Sequence, residues 1–107
     1  MGCYVVTRHL PGITQEDLIG AGLRAKSCAA EMTEEGTPVR WLRSFFIPET
    51  EQTHCYFEAP GLDAVKEVNE RANIPFSSIH EVLELAPEAV EKRVEESIRS
   101  HKFGSFT

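Results

Sequence analysis

Histidine and cysteine side chains carry most of the chemistry open to this sequence. Among its four histidines and three cysteines are His9, His54 and His80, each in a run of strand-forming residues, and Cys28 and Cys55, far apart along the chain. Neutral imidazole is the commonest nitrogen ligand of zinc, nickel and copper, and a carboxylate such as Glu58 or Glu84 can orient the ring. Three imidazoles at one sheet edge would suit a divalent transition metal, whereas rings standing apart at strand ends are ordinary solvated side chains. Cys28 and Cys55 are candidates for a thiolate site in the layer between helix and sheet, although a free cysteine also packs as a small apolar residue. His54 and Cys55 should not chelate one ion without a bulge, since adjacent strand residues point to opposite faces. Trp41, Tyr56 and Glu58 are candidates for lining a small-ligand pocket, and Arg40 and Arg43 could hold a carboxylate. No GxSxG, HExxH or phosphate-cradling glycine loop is present, so no complete catalytic motif supports an enzyme.

The elements that must position these residues follow from apolar spacing and turn chemistry. Cys3 to Leu10 is rich in β-branched and aromatic residues and stops at Pro11-Gly12, which predicts a first strand. Thr14 to Asp17 has the form of a capping box and opens a helix whose apolar residues Leu18, Gly22, Ala25, Ala29 and Met32 recur at helical spacing, widened by Ile19, Leu23 and Ala30. That helix should end near Glu35-Gly36. Pro38 to Ile47 and Thr53 to Ala59 read as two strands joined by the polar hairpin Glu49 to Gln52. Leu62, Val65, Val68 and Ala72 mark a second amphipathic helix, and Ser78 to Leu85 a fourth strand. After Pro87, the spacing of Val90, Val94 and Ile98 predicts an added C-terminal helix with a narrow apolar stripe.

The order βαββαβ with right-handed crossovers is a ferredoxin-like α+β sandwich whose antiparallel sheet runs 4-1-3-2. Residues 1–86 make this domain and 87–107 the C-terminal helix and tail. The order brings the end of strand one beside the starts of strands three and four, which predicts that His9, His54 and His80 meet at one sheet edge. Alternation puts Tyr4, Val6, Cys55, Phe57, Ile79, Leu83 and Leu85 toward the helices and Thr7, His9, His54, Tyr56, Glu58, His80 and Glu84 on the other face. Strand two is apolar in both phases and its faces stay unassigned. A polar but partly apolar open face is the pattern of sheets that pair into a homodimer around a pocket.

Composition narrows the function classes. A chain of 107 residues, 41% hydrophobic and 26% charged, fits one globular core. A net charge of -6, with basic residues dispersed among acids, argues against nucleic acid as a partner. No apolar run approaches the roughly 20 residues of a membrane span. An odd number of widely spaced cysteines predicts no disulfide framework and favours a reducing, cytoplasmic compartment.

Three segments together, Ala25 to Cys28, Val39 to Phe45 and His54 to Pro60, resemble a bacterial family of small domains, some of whose members are described as nickel-binding. The Cys55-Tyr56-Phe57-Glu58-Ala59-Pro60 block is the most specific piece. The resemblance spans Tyr4 to Leu85 and implies a ferredoxin-like, usually dimeric domain without established catalysis. Cys28 and Cys55 match the family pattern, whereas Arg43 and Val68 stand where family sequences often carry histidine. The expectation is therefore a non-enzymatic homodimer that binds nickel, another divalent transition metal, or a small ligand. The alternatives are a dimeric barrel enzyme of the cofactor-free monooxygenase type, whose pocket would be lined by His, Tyr, Trp and Arg, and a structural interaction module.

Overall fold

A computed structural model of the chain describes residues 1–88 and 90. Its elements are β1 (Gly2–His9), α1 (Gln15–Glu34), β2 (Arg40–Ile47), β3 (Gln52–Ala59), α2 (Leu62–Arg71) and β4 (Ser78–Val82). They form one four-stranded antiparallel sheet in the order β2-β3-β1-β4, which is the expected 4-1-3-2 order read from the other edge. This is the ferredoxin-like α+β fold.

Local signals set the helix ends. The Thr14 hydroxyl accepts from the Asp17 amide at 3.0 Å, and the Asp17 carboxylate accepts from the Thr14 amide at 3.4 Å, which closes the capping box of α1. At its other end the amides of Gly36 and Thr37 donate to the carbonyls of Thr33 and Met32. This reversal needs a left-handed residue, and Gly36 supplies it at φ +107°. In α2 the same role falls to Asn73, at φ 56°, while the Ile74 amide reaches back to the Asn69 carbonyl. Arg71 ties the two helices together outside the core, with contacts of 2.6 to 2.9 Å to Glu67, Glu35 and Glu31.

The core lies between the helices and one face of the sheet. Tyr4, Val6, Phe57, Met32, Val65 and Val68 are buried there, as the alternation of β1 and β3 and the helical stripes require. Arg8 also lies on this face and is buried. Two expectations are corrected. Ile19 and Leu23, counted with the buried stripe of α1, are exposed at 57% and 64%, because they sit to one side of the row Gly22, Ala25, Ala29, Met32. Leu83 and Leu85, placed under the helices by the alternation of a longer fourth strand, are exposed at 62% and 67%. The last β1–β4 pair is Cys3 with Val82, and β1 starts at Gly2, so a longer β4 has no partner left to bond. The expected C-terminal helix begins at Pro87, and the Val90 amide donates to the Ala86 carbonyl at 2.9 Å. Val94, Ile98 and the rest of that expectation lie outside the described residues.

Candidate functional site

The face of the sheet turned away from the helices carries the candidate site. In β1 it presents Cys3, Val5, Thr7 and His9, and in β3 Gln52, His54, Tyr56 and Glu58. β2 resolves its ambiguity with a bulge. Trp41 pairs with Phe57 and Arg43 with Tyr56, so Leu42 is the extra residue. After it the phase is inverted. Trp41, Ser44 and Phe46 face the helices, and Leu42, Arg43, Phe45 and Ile47 face outward. The Trp41 indole N–H donates to the Ser44 hydroxyl at 2.9 Å, a contact between residues three apart that regular alternation would place on opposite faces.

The three candidate histidines share the open face but stand apart on it. His54 is opposite Thr7 and His80 opposite Val5, on the two sides of β1, while His9 is opposite Gln52. With strands about 4.8 Å apart and a rise of about 3.4 Å per residue, His54 and His80 have Cα atoms roughly 12 Å apart and His9 and His80 roughly 14 Å, while His9 and His54 are diagonal neighbours at roughly 8 Å. Side chains on a sheet stand nearly perpendicular to it, so His80 does not converge with the other two rings on one point. Among the described residues no three His, Cys, Asp or Glu side chains are grouped to hold a metal ion. His54 Nδ1 lies 3.4 Å from the Thr7 hydroxyl, a contact that orients the ring and, among the described residues, leaves Nε2 without a partner, as a metal-binding imidazole requires. The donor types therefore suit nickel, while one chain brings no three of them to a point.

The other candidates divide between the faces. Cys55 is buried on the helix side, and the half-buried Cys28 of α1 packs against that core. Both thiols belong to the helix-sheet layer, away from the histidines. Tyr56 lines an open-face groove of about 410 Å³ with Cys3, Arg43, Phe45, Leu83 and Leu85, and Phe45 meets Tyr56 edge-on at 6.3 Å between ring centroids. Glu58 is engaged by Arg40 at 3.2 Å. Trp41, expected to line a pocket with Tyr56 and Glu58, is on the opposite face. The groove thus has Tyr56 and Arg43 but neither the Trp nor the His that the monooxygenase-type pocket calls for. Val68 is buried on the core side of α2 and Arg43 faces outward, so these two positions cannot serve one ion within a chain.

Cys3 was missed by sequence reasoning, which treated it as one of an odd set of thiols. Its phase with Val5 and Thr7 was the available signal. Burial pushes the Cys3 thiol above its ordinary pKa, and the charges of Glu84 and Glu58 push it further, so it stays protonated at neutral pH.

The comparisons place this architecture among known proteins. The sequence model of a family described as "Nickel responsive protein SCO4226-like" matches residues 4–82. The crystal structure of SCO4226 from Streptomyces coelicolor A3(2) is similar at a TM-score of 0.65 and 26% identity, over 78% of this chain and 99% of that one. No curated protein matches the chain. Among the described residues no helix is long and apolar enough to cross a membrane.

Proposed function

The chain belongs to the SCO4226-like family of nickel responsive proteins, and from that premise we propose that it is a non-enzymatic, cytoplasmic homodimer that binds nickel or a similar divalent ion. The ligands are open-face histidines, His54 and His80 first and His9 with them. One observation carries this reading. Three imidazoles and the exposed side chains of Phe45, Ile47, Leu83 and Leu85 share a single sheet face, and no three metal-binding side chains are grouped within one chain among the described residues. A second copy laid on that face by a twofold axis would bury the apolar residues and bring in its own imidazoles. A groove closed in this way would also take a small organic ligand against Tyr56.

Nickel titration by calorimetry tests the reading on the wild type, on His54→Ala/His80→Ala and on Cys28→Ser/Cys55→Ser. The expected outcome is binding that survives the cysteine changes and is lost with the histidine changes. Because imidazole must be neutral to bind, affinity should fall as pH drops below about 6.5. Binding that needs the cysteines and not the histidines would overturn the assignment, and no nickel binding by the wild type would overturn the function.

A further inference from the structure

The helix side of the sheet contains a second opening, independent of the metal reading. Where α1 fails to cover β2 and β3, a groove of about 390 Å³ is lined by apolar side chains that include Leu18, Leu23, Trp41 and Phe46. Such a volume is within the range of small-ligand pockets, about 300 to 1,000 Å³. Arg8 and Thr53 also line it, and they are direct cross-strand partners.

Both of these polar residues are under-satisfied. Arg8 is only 3% exposed, and its guanidinium donates to two neutral acceptors, the Pro75 carbonyl at 3.2 Å and Asn69 Oδ1 at 2.9 Å. A guanidinium has five N–H donors and is always charged. Among the described residues no carboxylate pairs with this one, although removing a charge from water is costly unless it is compensated. The Thr53 hydroxyl beside it is buried with no hydrogen-bond partner among the described residues, in a residue 4% exposed. A buried cation and a buried unused hydroxyl at the floor of an apolar groove are complementary to an anionic head on an apolar body. Arginine's planar fork favours a carboxylate, which can accept two parallel bonds. Lys26 at the same groove is exposed and favours the approach of an anion.

We propose that this groove is a binding site for a small apolar carboxylate, whose head accepts from the Arg8 guanidinium and the Thr53 hydroxyl and whose hydrocarbon lies against Leu18, Leu23, Trp41 and Phe46. Trp41 is the single tryptophan and reports occupancy directly.

The test is a fluorescence titration of the full chain with octanoate and, as a neutral match, 1-octanol. Octanoate should change Trp41 emission saturably and bind at least about tenfold more tightly than octanol. Thr53→Val should weaken octanoate about three- to tenfold without lowering Tm, because the hydroxyl it removes has no partner among the described residues. Arg8→Gln, where it folds, should abolish the preference for the acid. Equal affinity for acid and alcohol, wild-type affinity in Thr53→Val, or no saturable response to octanoate would each overturn the site.

Discussion

Trp41 and Arg43, two residues apart in one strand, lie on opposite faces of the sheet. Regular alternation would put them on the same face, and the extra residue Leu42 separates them. The bulge sends the indole toward α1 and leaves the guanidinium in the open-face groove. It thereby decides which of the two candidate sites each side chain serves.

The indole fits because α1 carries no side chain beneath it. A Cβ on Gly22 would lie 3.1 Å from Trp41 Cη2, and the ring is tethered through Ser44. Gly22→Val should therefore destabilise the fold by about 1 to 3 kcal/mol, despite relieving glycine's helix penalty, and should shift Trp41 emission. Denaturant unfolding followed by fluorescence checks this, and a variant of wild-type stability would show that the indole moves freely.

Dimerisation through the open face predicts a mass twice that of the chain by light scattering at micromolar protein. Phe45 is 58% exposed, so Phe45→Glu should yield a folded monomer that has lost the concentration dependence of Tm expected of the dimeric wild type. A wild type that is monomeric at every concentration would remove the twofold site.

Cys3 should react slowly with iodoacetamide in the native protein at pH 7.5, measured by peptide mass mapping, and should speed up above pH 9. The thiolate is the nucleophile, and burial with Glu84 and Glu58 nearby holds its population down. Glu84→Gln should raise the rate at pH 7.5. Labelling of native Cys3 as fast as in denatured protein would contradict the assigned environment.

Arg71 gives the stability a pH dependence whose sign is determined. Its hydrogen bond holds the Glu35 carboxyl below the ordinary value of 4.5. A depressed carboxylate stabilises the fold above its unfolded pKa, and that contribution is lost as pH falls through the lower folded value. Tm should thus decline below about pH 4.5. Arg71→Met should lower Tm at pH 7 and flatten the decline, with the difference reduced in 0.5 M salt. Parallel Tm curves for the two proteins would show that the cluster contributes nothing.

Much of this fold is written in local chemistry. The capping box at Thr14, the stop at Gly36, the stripe from Ala25 to Met32 and the alternation of β1 and β3 each depend on residues a few positions apart, and together they determine the βαββαβ order and hence the sheet. The helix-facing placement of Cys55 and the open-face placement of His54 follow from the same alternation. Three things depended on tertiary structure. Strand two is apolar in both phases, so only pairing with β3 shows that the phase breaks at Leu42 and parts Trp41 from Tyr56. The fourth strand stops at Val82 because its partner β1 runs out at Gly2, a limit set by register between segments far apart in sequence. Finally, face is a property of one strand, but distance across a sheet depends on which strands intervene and on their stagger. Sequence could put His9, His54 and His80 on one face, while only the register, with Thr7 opposite His54 and Val5 opposite His80, shows how far apart they stand.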